Sequence, residues 1–175
     1  AGAGSLFVAV RGLTMDGHKF IEDVMRRGAV GVISELEAPD DFVGAWLQVQ
    51  EARTALAQAA AVINGNPSHQ LKLIGITGTN GKTTTTYLTY ALAEANGEKS
   101  AMLTTVEYRI GDKSEPAVRT TPEASDTQRF LREAVDNGCK MATMEASSQA
   151  IDLHRCDALR FQVAIFTNLT RDHLD

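Results

Sequence analysis

The segment whose residue types and spacing best suit chemistry is Gly78-x-x-Gly81-Lys82-Thr83. It follows an apolar run, residues 71–76, and precedes residues with helical spacing. A strand, a glycine-rich loop and a helix in this order are typical of a phosphate-binding loop. Glycines let the backbone approach an anion closely, and amides at a helix N-terminus point at phosphate oxygens. The segment therefore predicts a site for ATP or GTP.

Two side chains of this loop have expected roles. Lys82 would neutralise the β- and γ-phosphates, and the Thr83 hydroxyl would bind Mg²⁺. The usual loop has another glycine five residues before Gly81, where this chain has Ile76. A short glycine turn before a helix can also be only a tight connection. The lysine–threonine pair, the apolar run before it and four consecutive threonines favour nucleotide binding.

Polar residues also follow a later apolar run, residues 141–145. Glu145 ends that run, where nucleotide-hydrolysing folds place a carboxylate that holds Mg²⁺ directly or through water. The alternative is a solvated acid at a strand end. Ser147 and Ser148 could cap a helix or donate hydrogen bonds to an anionic substrate. Arg155 could pair with a carboxylate or phosphate, although an arbitrary arginine is more often on a solvated surface.

Other polar positions leave alternatives open. His173 lies in a five-residue cluster with an arginine and two acids, and it could be a metal ligand, a phosphate contact or a loop histidine. His18 and His69 lie in polar turns and are assigned no role. The stretch Thr120-Thr121-Pro122-Glu123 could be only a turn that leads into a helix.

Composition limits the class of protein. The chain has 175 residues, of which 43% are hydrophobic, and a formal net charge of −5, which is ordinary for a globular protein. No basic cluster suggests nucleic acid, and no apolar run approaches the roughly 20 residues that span a bilayer. Cys139 and Cys156 have no metal-like spacing and indicate reduced thiols. We therefore expect a cytoplasmic protein that binds neither nucleic acid nor membranes.

Strand-like and helix-like segments alternate along the chain. The predicted strands are residues 6–10, 29–34, 45–49, 71–76, 100–106, 141–145 and 161–167. The predicted helices are residues 18–27, 52–63, 82–96 and 125–137, the last capped by Ser125, and a hairpin over 107–118 turns near Gly111. This alternation predicts an α/β fold with a doubly wound, mostly parallel sheet, whose ligands bind at the carboxyl ends of the strands.

The turn residues Asn64–Ser68 predict a domain boundary. A small α/β domain would cover residues 1–68, and a P-loop ATPase-like domain would cover residues 69–175. The first strand begins almost at residue 1, and the last polar cluster looks like a loop that feeds another helix. We therefore expect both domains to be parts of a longer enzyme.

Several motifs together resemble the Mur ligases, the ATP-dependent amide-forming enzymes of peptidoglycan synthesis. The segments similar to that family are, in order, Thr77–Thr84, Thr120–Glu123, Met144–Ser148 and Phe166–Asp175. Residues 6–18 resemble the family's N-terminal, UDP-binding domain. The likeness covers nearly the whole chain and is strongest to the type that adds the third residue of the stem peptide.

The resemblance implies ATP and Mg²⁺ as cofactors and a monomer that acts on small molecules. These substrates would be UDP-N-acetylmuramoyl-L-alanyl-D-glutamate and a diamino acid, either meso-diaminopimelate or L-lysine. The implied ATP-binding residues are Gly78, Thr79, Asn80, Gly81, Lys82, Thr83 and Thr84. The implied metal ligands are Thr83 and Glu145 for one Mg²⁺ and His173 for a second, and the implied catalytic residues are Lys82, Glu145 and His173. The implied substrate contacts are Leu13, Thr14 and Met15 at the uridine end, and Thr120, Thr121, Ser147 and Arg155 at the muramoyl-dipeptide end.

Three positions depart from the family's pattern. Gln149 stands where a histidine is more familiar, Leu153 replaces a polar residue that contacts substrate in some members, and Arg119 falls where asparagine is found. The family's carbamylated lysine and its C-terminal amino-acid-binding domain have no counterpart in residues 1–175, so we expect no ligation by this chain alone. Two other interpretations remain: another ATP-dependent amide ligase, of the cyanophycin or folylpolyglutamate type, and a non-catalytic nucleotide-binding module.

Overall fold

The structure, a computed structural model, describes residues 2–12 and 14–170. The chain divides into two compact units, Ala1–Leu56 and Ala57–Asp175. This division falls inside a helix, Ala52–Ile63, upstream of the Asn64–Ser68 turn at which the sequence predicts a boundary. Turn residues mark where a helix ends, and nothing in the sequence marks a division within one. None of the described helices is long and apolar enough to cross a membrane.

The first unit is built on a three-stranded parallel sheet. Its strands β1 (Leu6–Val8), β2 (Gly31–Ser34) and β3 (Ala45–Gln48) lie in chain order. A 3-10 turn, Gly17–Phe20, leads into the short helix α1 (Ile21–Arg26), and the helix α2 (Ala52–Ile63) follows β3. The sequence predicts one helix over residues 18–27. The observed 3-10 turn comes first because Asp16 caps it by accepting the His18 N–H.

The second unit is built on a six-stranded sheet in the order β7-β6-β5-β8-β4-β9. Its strands are β4 (Lys72–Thr77), β5 (Ser100–Leu103), β6 (Glu107–Ile110), β7 (Lys113–Pro116), β8 (Met141–Glu145) and β9 (Val163–Phe166). Strands β5, β8, β4 and β9 are parallel, and β6 and β7 form an antiparallel hairpin at one edge. The helices are α3 (Lys82–Ala95), α4 (Ala124–Asp136) and α5 (Ser148–Asp152). The predicted α/β class with a mostly parallel sheet is therefore confirmed.

The core of the second unit surrounds β8. Every residue of β8 is buried, as expected for a central parallel strand that is covered on both faces. Leu73, Leu103, Leu131 and Met144 are at most 1% exposed, and burial of each such side chain stabilises the fold by about 1.5–3 kcal/mol. Because β8 runs through this core, the residue at its carboxyl end, Glu145, is held in a largely dry environment.

Helix α4 begins earlier than the sequence predicts. Its N-cap is Glu123, which has extended backbone and no side-chain cap hydrogen bond, so the prediction that Ser125 caps this helix is wrong. Ion pairs with Arg119 and Arg155 hold Glu123 in its extended conformation. Because Glu123 lies two positions before Ser125, the helix begins earlier than predicted. Helix α5 is capped by Ser147, whose hydroxyl accepts the Ala150 N–H at 3.2 Å.

Candidate functional site

The glycine-rich loop joins the carboxyl end of β4 to the N-terminus of α3. Gly78 has φ +128° and Gly81, the N-cap of α3, has φ +86°. No side chain caps this helix, and the first backbone bond of α3 runs from the Thr85 N–H to the Gly81 carbonyl at 2.9 Å. The amides of residues 82–84 therefore lack a backbone acceptor within the described chain. Such amides, together with the helix dipole, form an anion-binding site.

The Lys82 side chain folds back over the loop. Its ammonium donates to the Gly78 carbonyl at 2.6 Å and to the Thr79 carbonyl at 3.1 Å. A cleft of about 220 Å³ opens beside it. The residues that line this cleft are Thr77, Gly78, Thr79, Lys82, Ser147, Ser148, Phe166, Leu169 and Thr170. Sequence-predicted residues from the phosphate loop and from the segment after β8 thus meet at one surface.

The chain that follows β9 packs directly on the phosphate loop. The Thr167 hydroxyl donates to the Asn80 carbonyl at 2.7 Å, and the Asn168 carbonyl accepts the Thr79 N–H at 3.0 Å. A Cβ on Gly78 would overlap the Thr167 hydroxyl and lie 2.8 Å from the Asn168 carbonyl. Glycine at position 78 is therefore required both by its backbone angle and by this close approach.

Glu145 is a buried carboxylate without a cationic partner in the described chain. It is 1% exposed, and its two carboxylate oxygens accept the Thr105 N–H at 2.9 Å and the Thr105 hydroxyl at 3.2 Å. A carboxylate taken out of water is costly unless a positive charge accompanies it. The interpretation of Glu145 as a solvated acid is therefore wrong, and its surroundings fit a cation ligand.

The predicted substrate residues Thr121, Ser147 and Arg155 are joined by hydrogen bonds. The buried Thr121 hydroxyl donates to the Glu145 carbonyl at 2.8 Å and accepts the Ser147 N–H at 3.2 Å. The Arg155 guanidinium lies 2.7 Å from Glu123 and donates to the Thr121 carbonyl at 3.3 Å. Its side chain is only 12% exposed, so the alternative interpretation of Arg155 as an arginine on a solvated surface is wrong.

Thr120 and Arg119 lie at the border of this group. The Thr120 hydroxyl accepts a bond from Thr105 at 3.2 Å. The Arg119 side chain pairs with Glu123 at 3.2 Å, and its backbone N–H and carbonyl both bond to the Tyr108 hydroxyl, at 2.9 and 2.5 Å. Gln149 lies on α5, and Leu153 is the C-cap of that helix.

In the first unit, two backbone hydrogen bonds join residues 10 and 12 to residues 15 and 17, close to the predicted uridine contacts Thr14 and Met15. The Gly12 N–H bonds to the Met15 carbonyl at 2.8 Å, and the Gly17 N–H bonds to the Val10 carbonyl at 3.0 Å. Met15 and Thr14 are exposed. Leu13 lies outside the described residues, as does His173 of the second unit.

His18, to which the sequence analysis assigns no role, links Asp16 to Ser34 at the end of β2. Its ring nitrogens lie 2.6 Å from Asp16 and 2.9 Å from the Ser34 hydroxyl. The His18 backbone N–H and then its ring lower the pKa of the Asp16 carboxyl. Ser34 is fully buried and its hydroxyl also accepts the Leu36 N–H at 2.9 Å, so the three residues form a structural link.

Sequence reasoning missed two residues that position the site. Thr105 holds Glu145, and Asn168 holds the phosphate loop. Both residues follow apolar strand segments, and this position just after a strand is the feature of the sequence that could have indicated them. In the described chain, no three His, Cys, Asp or Glu residues cluster as a metal site. Neither thiol lines the cleft, and burial raises the pKa of Cys156 to about 11 and also raises the pKa of Cys139.

A mostly parallel α/β sheet with a glycine-rich phosphate loop between an interior strand and a helix defines a P-loop type of nucleotide-binding fold. Residues 76–175 match the family described as the Mur ligase middle domain, and the chain belongs to the Mur ligase family.

Named relatives agree with this assignment. The UDP-N-acetylmuramoyl-L-alanyl-D-glutamate--2,6-diaminopimelate ligase of Geobacter metallireducens is 49% identical over 99% of this chain and 34% of its own length. The chain therefore spans about a third of that relative. A solved structure with the same enzyme name has a TM-score of 0.85 and 26% identity, over 100% of this chain and 36% of that one. The MurF ligase of Thermotoga maritima in complex with ADP has a TM-score of 0.65 and 26% identity, over 95% of this chain and 35% of that one.

Proposed function

We propose that the full-length protein is an ATP-dependent ligase of peptidoglycan synthesis. It would join UDP-N-acetylmuramoyl-L-alanyl-D-glutamate to a diamino acid. The observation that carries this proposal is the pairing of two groups at adjacent strand ends: the uncapped phosphate loop with Lys82 after β4, and the buried Glu145 at the end of β8. The name of the Geobacter relative favours 2,6-diaminopimelate over L-lysine as the diamino acid.

The proposed chemistry is phosphoryl transfer followed by acyl transfer. The D-glutamyl carboxylate attacks the γ-phosphorus of ATP, ADP leaves, and an acyl phosphate forms. The amine of the diamino acid then attacks the acyl carbon, loses a proton, and expels inorganic phosphate. The first step needs positioning and charge neutralisation more than covalent help from the protein. Lys82 would exchange its two loop carbonyls for phosphate oxygens, and the amides of residues 82–84 would bind the same phosphates.

The proposed ligands of one Mg²⁺ are Thr83 and Glu145, and His173 would help to hold a second. The fit rests on Glu145, because its buried carboxylate bonds only to the neutral Thr105 in the described chain and carboxylate oxygens suit this cation. Bound there, Mg²⁺ would neutralise charge on the transferred phosphoryl group. Thr105 would keep the carboxylate oriented.

The substrate would be held at its two ends. We propose that Leu13, Thr14 and Met15 contact the uridine end, and that Thr120, Thr121, Ser147 and Arg155 bind or orient the muramoyl-dipeptide end. The Arg155 guanidinium pairs with Glu123 and donates to the Thr121 carbonyl, so Arg155 would orient Thr121 for this contact. The proposed domains are residues 1–68 and 69–175, and the proposed assembly is a monomer that acts on small molecules.

The test is phosphate release by the full-length protein with Mg²⁺, ATP and UDP-N-acetylmuramoyl-L-alanyl-D-glutamate. Separate reactions contain meso-diaminopimelate, L-lysine or no amino acid. Release should require one diamino acid and fall at least about 100-fold in Lys82→Ala, because a group that stabilises transition-state charge is lost. Lys72→Ala is the matched control, since Lys72 begins β4 and pairs with Glu98 at 2.7 Å, and it should retain activity.

The other outcomes separate the alternatives. Nucleotide binding without phosphate release in any of these reactions, with either diamino acid or with none, would favour a non-catalytic module. Release that needs a different acceptor would identify another amide ligase. Equal loss of activity in Lys82→Ala and Lys72→Ala would contradict the assigned role of Lys82.

A further inference from the structure

We propose that Asn168 is a positioning residue that fixes the conformation of the phosphate loop. This role rests on the proposed nucleotide site and adds a residue to it. Asn168 follows β9 and is 88 residues away from its loop partner in sequence. It makes three hydrogen bonds to two consecutive loop residues, Thr79 and Asn80.

The bonding pattern resembles that of a neighbouring β-strand. The Asn168 side-chain oxygen accepts the Asn80 N–H at 3.1 Å, and its side-chain nitrogen donates to the Asn80 carbonyl at 3.0 Å. The Asn168 backbone carbonyl accepts the Thr79 N–H at 3.0 Å. One side-chain amide thus satisfies both polar groups of one backbone residue, which a hydroxyl or carboxylate cannot do in the same way.

Neighbouring residues strengthen the same contact. The Thr167 hydroxyl also donates to the Asn80 carbonyl, at 2.7 Å. The Thr170 N–H donates to the Thr79 hydroxyl at 3.0 Å, and that hydroxyl lies 3.1 Å from the Thr170 carbonyl. The absent Cβ of Gly78 lets the chain after β9 come this close. The loop therefore rests on the segment after β9 at Gly78, Thr79 and Asn80.

This arrangement divides the loop amides into two sets. The N–H groups of Thr79 and Asn80 bond to Asn168, whereas the N–H groups of residues 82–84 lack a backbone acceptor in the described chain. The second set is the one that remains for phosphate. The loop of this chain lacks the first glycine of the usual form and is therefore shorter. We infer that the hydrogen bonds from Asn168 stabilise this shorter loop in its observed conformation.

The experiment compares the full-length wild type with Asn168→Ala and Asn168→Asp. Asn168→Ala removes both side-chain bonds, and we expect the Kd for Mg·ATP to rise about tenfold. Asn168→Asp keeps an acceptor for the Asn80 N–H but sets an oxygen against the Asn80 carbonyl, and the rise should be at least as large. The KM for ATP should increase more than the KM for the UDP-linked substrate. Hydrogen exchange of a peptide covering residues 77–83, measured without nucleotide, should accelerate in both variants.

Asn137→Ala is the matched control. Asn137 also donates through its side chain to a backbone carbonyl, that of Glu133, at 2.8 Å. It is the C-cap of α4 and makes no hydrogen bond to the phosphate loop in the described chain. Asn137→Ala and Asn168→Ala should lose comparable amounts of stability in urea. Asn137→Ala should change neither the affinity for ATP nor the hydrogen exchange of the loop peptide.

Two results would overturn the proposal. One is an Asn168→Ala protein with wild-type ATP affinity and wild-type exchange of residues 77–83. The other is an equal loss of ATP affinity in Asn137→Ala, which would show a general effect of stability. If the wild type itself binds no Mg·ATP, the nucleotide function fails, and exchange of the loop peptide alone then decides whether Asn168 fixes the loop.

Discussion

At the scale of single residues, Glu145 combines burial, negative charge and the absence of a cationic partner in the described chain. We predict that Glu145→Gln leaves the fold intact and raises the free energy of unfolding, measured in urea without Mg²⁺, by about 1 kcal/mol. Glutamine can still accept the Thr105 N–H, and an uncompensated buried charge is removed. Phosphate release by the full-length variant should fall at least about 100-fold, because the proposed metal ligand is lost.

The exposed Glu115 of β7 provides the comparison for this substitution. Glu115→Gln changes the same functional group on a strand at the sheet edge and should alter neither stability nor phosphate release measurably. A strongly destabilised Glu145→Gln protein would show instead that the negative charge is itself needed for folding.

Glu107 predicts a dependence of stability on acid pH. The Ser114 hydroxyl, then the Tyr87 hydroxyl and Arg109, hold the pKa of Glu107 below its ordinary value of 4.5. The unfolded chain therefore binds this proton more readily than the folded chain does. The stabilisation is fully present above the ordinary pKa and disappears as the pH falls through the lower, folded pKa. Asp16, whose pKa is also lowered, acts in the same direction.

Urea unfolding at pH 7, 5, 4 and 3 measures this effect. The wild type should lose stability below about pH 5, and Glu107→Gln should be less stable at pH 7 but lose less on acidification. Parallel curves for the two proteins would remove Glu107 from the explanation.

At the scale of elements, the two glycines that follow β4 and α3 should respond differently to alanine. Gly78 has φ +128° and no room for a Cβ, whereas Gly97 has φ +78° and nothing within 4 Å. We predict that Gly97→Ala costs about 1 kcal/mol through backbone strain alone. Gly78→Ala should cost about 2–4 kcal/mol, because the chain after β9 must also move.

Urea unfolding and Mg·ATP titration of both variants test this difference. Only Gly78→Ala should weaken nucleotide binding, since only that substitution displaces the phosphate loop. Equal effects of the two substitutions would mean that the packing of Thr167 and Asn168 on the loop contributes little.

The same elements show what local sequence can and cannot predict. Helix α2 and strand β8 have the predicted ranges, because an alanine-rich segment between breakers and a continuous apolar run are local signals. Strand β1 ends at Val8, two residues before its predicted end, because the Gly17 N–H bonds to the Val10 carbonyl and begins the turn there.

The residues of the proposed site divide in the same way. Lys82 and Thr83 are predicted from the spacing within one loop. Thr105 and Asn168 act on partners 40 and 88 residues away, and only the folded sheet brings these pairs together. Sequence patterns of period 2 or 3.6 carry no information about such pairs.

At the scale of the whole molecule, the groups of the proposed site follow three adjacent parallel strands of the second unit, β8, β4 and β9. Their register pairs Ile76 with Glu145 and Thr77 with Phe166. Each strand has one of these groups at or just after its carboxyl end, and the three carboxyl ends lie side by side. Strand β8 ends in the Glu145 carboxylate, β4 leads into the phosphate loop, and β9 leads into Asn168, which supports that loop.

This register also determines where the chain can change length. Side chains alternate between the two faces of a strand, so loss of one residue from β8 would turn Glu145 to the opposite face of the sheet. The tip of the β6–β7 hairpin at the exposed Asp112 joins two antiparallel strands on the side of the sheet away from β9. An insertion beside Asp112 would therefore shift none of the three groups. Length variation among homologous proteins should therefore collect at that tip and avoid the three strands that end at the phosphate loop.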